Sequence, residues 1–315
     1  MRFPVFDLHC DTASGLVRRR AAGVEDTLRT NSLHIDLDRA SSLVGYGQCF
    51  ACFTTTQKDP GIDRGPSPLV FFERQTDAIY SQVEANSDRI RLAFSGKDVQ
   101  ENFENGIMSA VLTIEGPAGF GFDPALLEDL YKVGFRITTL GWNEMNPLTG
   151  SNVTGGGLTE LGKEFVKEAQ RLGMLIDVSH ISDEGFWDIM EITQAPIIAS
   201  HSNSRAVYNV SRNLTDDMFK AICSTGGVAG LNLYSSFVAE NANIDDYCNH
   251  VFHFLELDPE GKHIALGGDL DGCDSLVEGI AGVQDYPKIA QRLLERGMSE
   301  EKVMDLYWNN ALGVI

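Results

Sequence analysis

Short apolar segments alternating with amphipathic helical ones predict a (β/α)8 barrel. Three observations carry that prediction. The alternation recurs about eight times along the 315 residues, which is the pattern of parallel βα units. The strand-like segments are short and continuously apolar, as in sheets covered on both faces. No glycine-rich phosphate fingerprint opens the first helix, which disfavours a doubly wound nucleotide fold. One barrel domain over 1–315 accommodates the length, and 43% hydrophobic residues suffice for one large core.

The first strand is the apolar run around Val5, Phe6 and Leu8, ending in His9-Cys10-Asp11. A helix over 13–22 follows, with Arg18-Arg19-Arg20 read as its solvated end. The spacing then predicts a strand over 48–54, a Gly-, Pro- and Asp-rich surface loop over 55–68, and a helix over 69–86. A short strand at 90–94 and a helix at 96–105 lead to a strongly apolar strand at 107–114. That strand stops at Glu115-Gly116-Pro117. A helix over 124–133 and a strand over 135–140 precede a long loop, 141–157. After a helix at 158–172, a strand at 174–178 ends in Ser179-His180. After a helix at 184–192, a strand at 196–199 ends in Ser200-His201. A helix at 215–224, capped by Thr215, is followed by a strand at 227–233 and a helix at 244–257. The last strand, 263–266, runs into Gly267-Gly268-Asp269-Leu270-Asp271-Gly272. Helices over 286–295 and 300–312 close the chain.

Acidic residues outnumber basic ones 45 to 25, for a net charge of −20. This charge excludes nucleic acid and anionic membrane surfaces as partners, and it does not repel a substrate bearing an amine. No apolar run reaches the roughly 18 residues of a membrane span. The chain enters its first strand with no room for a signal peptide, so a cytoplasmic location is expected, and a homodimer is compatible with the sequence. The six cysteines are scattered and read as reduced thiols. Cys49-x-x-Cys52 has metal or redox spacing, but it lies in a buried strand without a second pair, so structural thiols are expected there.

In a barrel the chemistry sits at the C-terminal strand ends. His9 and Asp11 end the first strand, Glu115 a middle one, His180 and His201 two later ones, and Asp269 the last. Of the seven histidines, these three occupy strand ends. His34, His250 and His253 fall in loop or helix patterns, and His263 opens its strand at the opposite end. Three imidazoles and two carboxylates on one mouth are a ligand set for two divalent metals, which Glu115 can bridge with its two oxygens. Two such metals, roughly 3.5–4 Å apart, lower the pKa of a shared water towards about 7 and leave a hydroxide poised to attack a carbonyl.

Six segments in order resemble the renal (membrane) dipeptidase family. They are His9-x-Asp11-Thr12, Thr113-Ile114-Glu115-Gly116, Asp177-Val178-Ser179-His180, Ser200-His201-Ser202, Ser211-Arg212-Asn213-Leu214-Thr215-Asp216-Asp217 and Gly267-Gly268-Asp269-Leu270-Asp271-Gly272. Trp308-x-Asn310-x-Leu312-Gly313-Val314 is similar to the family's closing helix. The resemblance implies a dipeptidase with two zinc ions: His9 and Asp11 on one, His180 and His201 on the other, Glu115 between. It also implies that Arg212 grips the substrate carboxylate, that Asp269 stands near the substrate amine and the attacking water, and that Tyr234 lines the pocket. A guanidinium and a carboxylate on opposite sides of a scissile bond suit a dipeptide's two charged ends. The competing reading of Arg212 is a surface salt bridge to Asp216 or Asp217; that of Asp269 is a turn residue.

The sequence departs from the family in one place. Where related members carry a histidine after the fourth strand, Gly141 or Trp142 stands here, so Trp142 is expected at the substrate. The Trp142 indole or Asn143 is the expected replacement donor to the oxyanion, beside the alternative that Trp142 is only a pocket wall and the metals serve the oxyanion unaided. Two other readings remain: hydrolysis of another small amide such as an N-acyl amino acid or a β-lactam, and a metal-binding barrel without dipeptidase activity.

Overall fold

A computed structural model describes residues 3–57 and 67–315. Most of the loop expected at 55–68 lies outside the described residues. The strands in chain order are β1 (Val5–Cys10), β2 (Tyr46–Phe53), β3 (Ile90–Leu92), β4 (Met108–Glu115), β5 (Phe135–Thr139), β6 (Thr149–Ser151), β7 (Gly155–Leu158), β8 (Leu175–Asp177), β9 (Ile197–Ile198), β10 (Ala229–Leu231) and β11 (Ile264–Leu266). Eight of them pair in the order β10-β11-β1-β2-β4-β5-β8-β9, and every pairing is parallel. The bridge between Ala199 and Ala229, also parallel, joins the two ends. The expected (β/α)8 barrel is therefore present. β3 stays outside the ring, pairing with Met108–Ala110 while β5 takes the same edge of β4 further along.

The two faces of the ring hold separate apolar clusters. The interior is filled by Phe6, Leu8, Cys49, Val111, Ile137, Leu175, Ile198, Val228 and Ala265, which brings in every barrel strand or its first flanking residue. Trp308 and Ala311 plug the lower end, with Trp308 edge-on to Phe6 at 6.2 Å. The larger cluster lies between the strands and the surrounding helices. Cys49 belongs to the inner cluster and Cys52 to the outer one, because an odd separation in a strand turns two residues to opposite faces. These two thiols share no ligand, and all six cysteines are free.

Two expected elements differ. The loop over 141–157 carries the hairpin β6–β7, and the next helix starts at Glu160 with Thr159 as its cap. The closing helix expected over 300–312 is broken into Glu300–Met304, a π-helical turn at Asp305–Asn309, and Asn310–Leu312. That wide turn widens the ladder where Trp308 leaves the helix for the barrel floor. The cap expected at Thr215 is formed, its side chain accepting from Met218 N–H.

Candidate metal centre and substrate cavity

The site is built from strand ends. β1 and β2 shift register between Asp7 and Cys10. Phe6 and Leu8 face the barrel interior, so strict alternation would turn His9 outward with Asp7. The shift turns His9 inward instead, and its Nε2 lies 3.6 Å from Glu115 Oε2. Asp11 sits just past the strand, with Oδ2 3.4 Å from His9 Nε2. The expected pairing of His9 with Asp11 thus occurs, but an irregular strand end produces it rather than simple alternation.

Glu115 occupies the centre. It is followed by Gly116 at φ +76°, where a Cβ would fall 2.1 Å from Thr54 O, so the chain turns away here only with glycine. One carboxylate oxygen faces His9. The other lies 3.0 Å from His180 Nε2 and 3.9 Å from His201 Nε2. His180 Nε2 and His201 Nε2 are 3.0 Å apart, and the rings of His9 and His201 stack at 3.8 Å. Ligand atoms of His9, Glu115 and His201 gather within 4.8 Å of one another, as do those of His9, Asp11 and Asp269. Burial and the nearby Asp11 push the Glu115 carboxyl well above its usual range. Burial pulls His9 down, but the carboxylates of Glu115, Asp11 and Asp269 outweigh it and hold the imidazole up at about 10. Burial carries His180 and His201 well below the usual imidazole value.

Neighbours fix the direction of the two later histidines. Ser200 Oγ donates to Asp177 Oδ2 at 2.5 Å and lies 2.7 Å from His201 Nδ1. Its proton is committed to the carboxylate, so His201 Nδ1 carries a hydrogen and Nε2 keeps its lone pair. Asp177 also accepts the backbone N–H of Ser179 and of Ser200, each at 2.9 Å, tying the two strand ends together. His180 Nδ1 lies 3.0 Å from Asn143 Oδ1, leaving its Nε2 free as well. His9 Nε2 is buried without a hydrogen-bond partner. Imidazole nitrogens and carboxylate oxygens aimed at one point, one of them orphaned, fit hard-to-borderline divalent cations.

Above this cluster lies a cavity of about 440 Å³, whose wall includes Asp11, Glu115, Trp142, His180, Tyr234 and Asp269. Burial lifts the Asp269 carboxyl to about 6, and Asn232 Nδ2 donates to it at 3.0 Å. Gly272 lies against the same carboxylates: a Cβ there would fall 2.2 Å from Asp269 Oδ1 and 2.4 Å from Asp11 Oδ2. Trp142 stands edge-on to Phe53 at 5.1 Å, and Asn143 lines the cavity beside it. Tyr234 packs edge-on against Phe237 at 4.7 Å.

Arg212 sits behind His180. It is 7% exposed, its Nη1 is 3.4 Å from Ser202 Oγ, and its Nε and Nη2 have no partner. The salt bridge to Asp216 or Asp217 does not form; Asp216 pairs with His253 at 2.8 Å. The other histidines stay apart from the cluster. His250 is a buried packing residue bonded to Val238 O and Ser204 N–H, and His263 contacts Gly227 O. His34 exchanges hydrogen bonds with Asp271. Sequence reasoning missed Asp177 and Ser200 as supports of His201, and Arg18 in the cavity wall. Asp177 and Ser200 do stand inside the strand-end segments, so their nearness to His180 and His201 was the available signal.

The family model of membrane dipeptidase (peptidase family M19) matches residues 1–315. The chain belongs to this family. An uncharacterized dipeptidase of Schizosaccharomyces pombe is 35% identical over 227 residues, covering 70% of this chain and 55% of that protein. An uncharacterized protein of Klebsiella pneumoniae is 32% identical over 253 residues, 76% of this chain and 93% of that one. The chain spans about half the length of the two Schizosaccharomyces pombe relatives it matches, 55% and 53%. Among solved structures, dipeptidase AC, an M19 metallopeptidase, superposes with a TM-score of 0.88 at 26% identity, covering 100% of this chain and 98% of that one. A metallopeptidase from Rhodobacter sphaeroides, liganded with a phosphinate mimic of the dipeptide L-Ala-D-Ala, shares the fold at 24% identity. Its TM-score is 0.89, with 100% and 99% of the two chains covered. No helix among the described residues is long and apolar enough to cross a membrane.

Proposed function

We propose that this chain is a metallo-dipeptidase that hydrolyses free dipeptides with two zinc ions. The observation that carries this is the Glu115 carboxylate, with one oxygen towards His9 and the other towards His180 and His201. His9 and Asp11 would hold one ion, His180 and His201 the other, with Glu115 between them. Bound there, the cations supply Lewis acidity that lowers a water's pKa and polarises the scissile carbonyl.

The remaining steps belong to the protein's own groups. Arg212 has two guanidinium nitrogens free in a buried setting, which suits a bidentate hold on the substrate's terminal carboxylate. Asp269, on the cavity wall, would pair with the substrate amine and take a proton from the attacking water. A carboxyl at about 6 is deprotonated at neutral pH, basic enough to accept a proton from the water, and once protonated acidic enough to pass it to the leaving amine. Trp142 and Tyr234 wall the cavity, and the Trp142 indole or the Asn143 amide donates to the oxyanion in place of the family's histidine. Six free cysteines, four of them buried, suit a reducing compartment such as the cytoplasm.

Purified, zinc-loaded protein assayed against a dipeptide library and matching N-acylated compounds tests this reading. Free dipeptides should be cleaved and N-acylated ones spared, because an acylated amine leaves Asp269 without its partner. Cleavage of N-acyl amino acids or β-lactams alone would replace the reading with another amide hydrolase. Bound metal with no hydrolysis of any of them would leave a binding protein.

A further inference from the structure

Within the arginine run expected as a solvated helix end, Arg18 departs from that reading. Arg19 faces outward and pairs with Asp26 at 2.8 Å, and Arg20 is exposed. Arg18 is only half-buried, yet it forms part of the wall of the same cavity as Asp11, Glu115 and Asp269. Its guanidinium carbon lies 5.9 Å from the Phe71 ring centroid. Its Nε is out of water and has no hydrogen-bond partner, and among the described residues no carboxylate pairs with it. Two acidic residues of the wall, Asp271 and Asp274, are engaged or wet. Asp271 accepts Thr12 Oγ1 at 2.6 Å and His34 N–H at 2.5 Å, and Asp274 is exposed. Arg18 is thus a cation in the substrate cavity with donors unused.

Its place in the ring says which part of a substrate it meets. Arg18 is on the helix that follows β1 and lines the cavity together with Asp11 and Asp269. Arg212 lines a separate small pocket with His180. Arg18 thus shares the cavity wall with Asp269, the group assigned to the substrate amine, whereas Arg212 is not on that wall. We propose that Arg18 is a specificity-determining residue, selecting dipeptides whose N-terminal residue carries a carboxylate side chain, aspartyl or glutamyl. This rests on the dipeptidase reading above. The planar guanidinium fork matches a carboxylate, and partial shielding from water strengthens that pair beyond a surface one. A protein of net charge −20 repels anionic substrates at long range, so an acidic side chain needs a local cation to settle.

The test compares kcat/KM of zinc-loaded wild type, Arg18→Met and Arg18→Lys on glutamyl-alanine, glutaminyl-alanine, alanyl-alanine and alanyl-glutamate. Wild type should prefer glutamyl- to glutaminyl-alanine by about tenfold or more, the factor expected of one charge-assisted pair. Arg18→Met, which keeps the apolar stem, should erase that ratio chiefly through KM, and Arg18→Lys should retain part of it. A wild-type ratio near one, an unaltered ratio in Arg18→Met, or an equal fall on all four substrates would overturn the assignment. Hydrolysis of alanyl-alanine in any of those cases leaves the dipeptidase reading standing. Absence of hydrolysis of every substrate by wild type would overturn both.

Discussion

His180 Nε2 and His201 Nε2 face each other at 3.0 Å, and both rings have their other nitrogen engaged, with Asn143 and Ser200. Burial keeps both imidazoles neutral. With hydrogens on Nδ1, the two Nε2 atoms present lone pairs to one another, an arrangement that repels unless a cation shares them. The pair is therefore shaped for a metal rather than for a hydrogen bond.

Ser200 should prove necessary for that shape although it touches no ion. Ser200→Ala removes the acceptor of His201 Nδ1–H and a donor to Asp177. Loss of such a supporting contact weakens metal affinity by about ten- to a hundredfold. Competition with a chromophoric chelator should show that loss in Ser200→Ala and recovery in Ser200→Thr, which restores the hydroxyl. Wild-type affinity in the alanine variant would mean that His201 is oriented by packing alone.

Zinc binding should release protons. In the metal-free protein His9 is held up at about 10, so it carries its proton at neutral pH, and an incoming cation must displace it. Apparent zinc affinity should then rise with pH until about pH 10. Calorimetric titrations at pH 8 in buffers of differing ionisation enthalpy should report at least one proton released per chain. Buffer-independent heats would contradict the assignment of His9 as a ligand.

Arg212→Ala should raise KM for dipeptides at least tenfold, and much less for their C-terminal amides. The free Nε and Nη2 await an acceptor, and a charge-assisted bond is worth about 1.5–3 kcal/mol. Equal losses on acids and amides would reduce Arg212 to a support for His180.

The clustering of His9, Asp11, Glu115, His180 and His201 could be read from the chain because a barrel converts scattered strand ends into one mouth. A strand ending in His9, Glu115, His180 or His201 announces its chemistry locally. Arg212 also followed from its neighbours in sequence, once the segment around it was matched. Other features depend on partners distant in sequence. The register shift that turns His9 inward exists only between β1 and β2. The hairpin at Thr149–Ser151 and Gly155–Leu158 is too short and glycine-rich to show a strand period. The wide turn at Asp305–Asn309 answers to the barrel floor beneath Trp308, not to any local breaker. Arg18 looked solvated because a long side chain on a helix reveals its charge in sequence but not its reach.

The division of metals about Glu115 is tested most directly by anomalous scattering. Crystals of the zinc-loaded protein, with data collected on both sides of the zinc absorption edge, should show two peaks per chain. One should lie against His9 and Asp11, the other between His180 and His201, with a Glu115 oxygen on each. A single peak, or two peaks of which neither touches Glu115, would contradict the bridged pair.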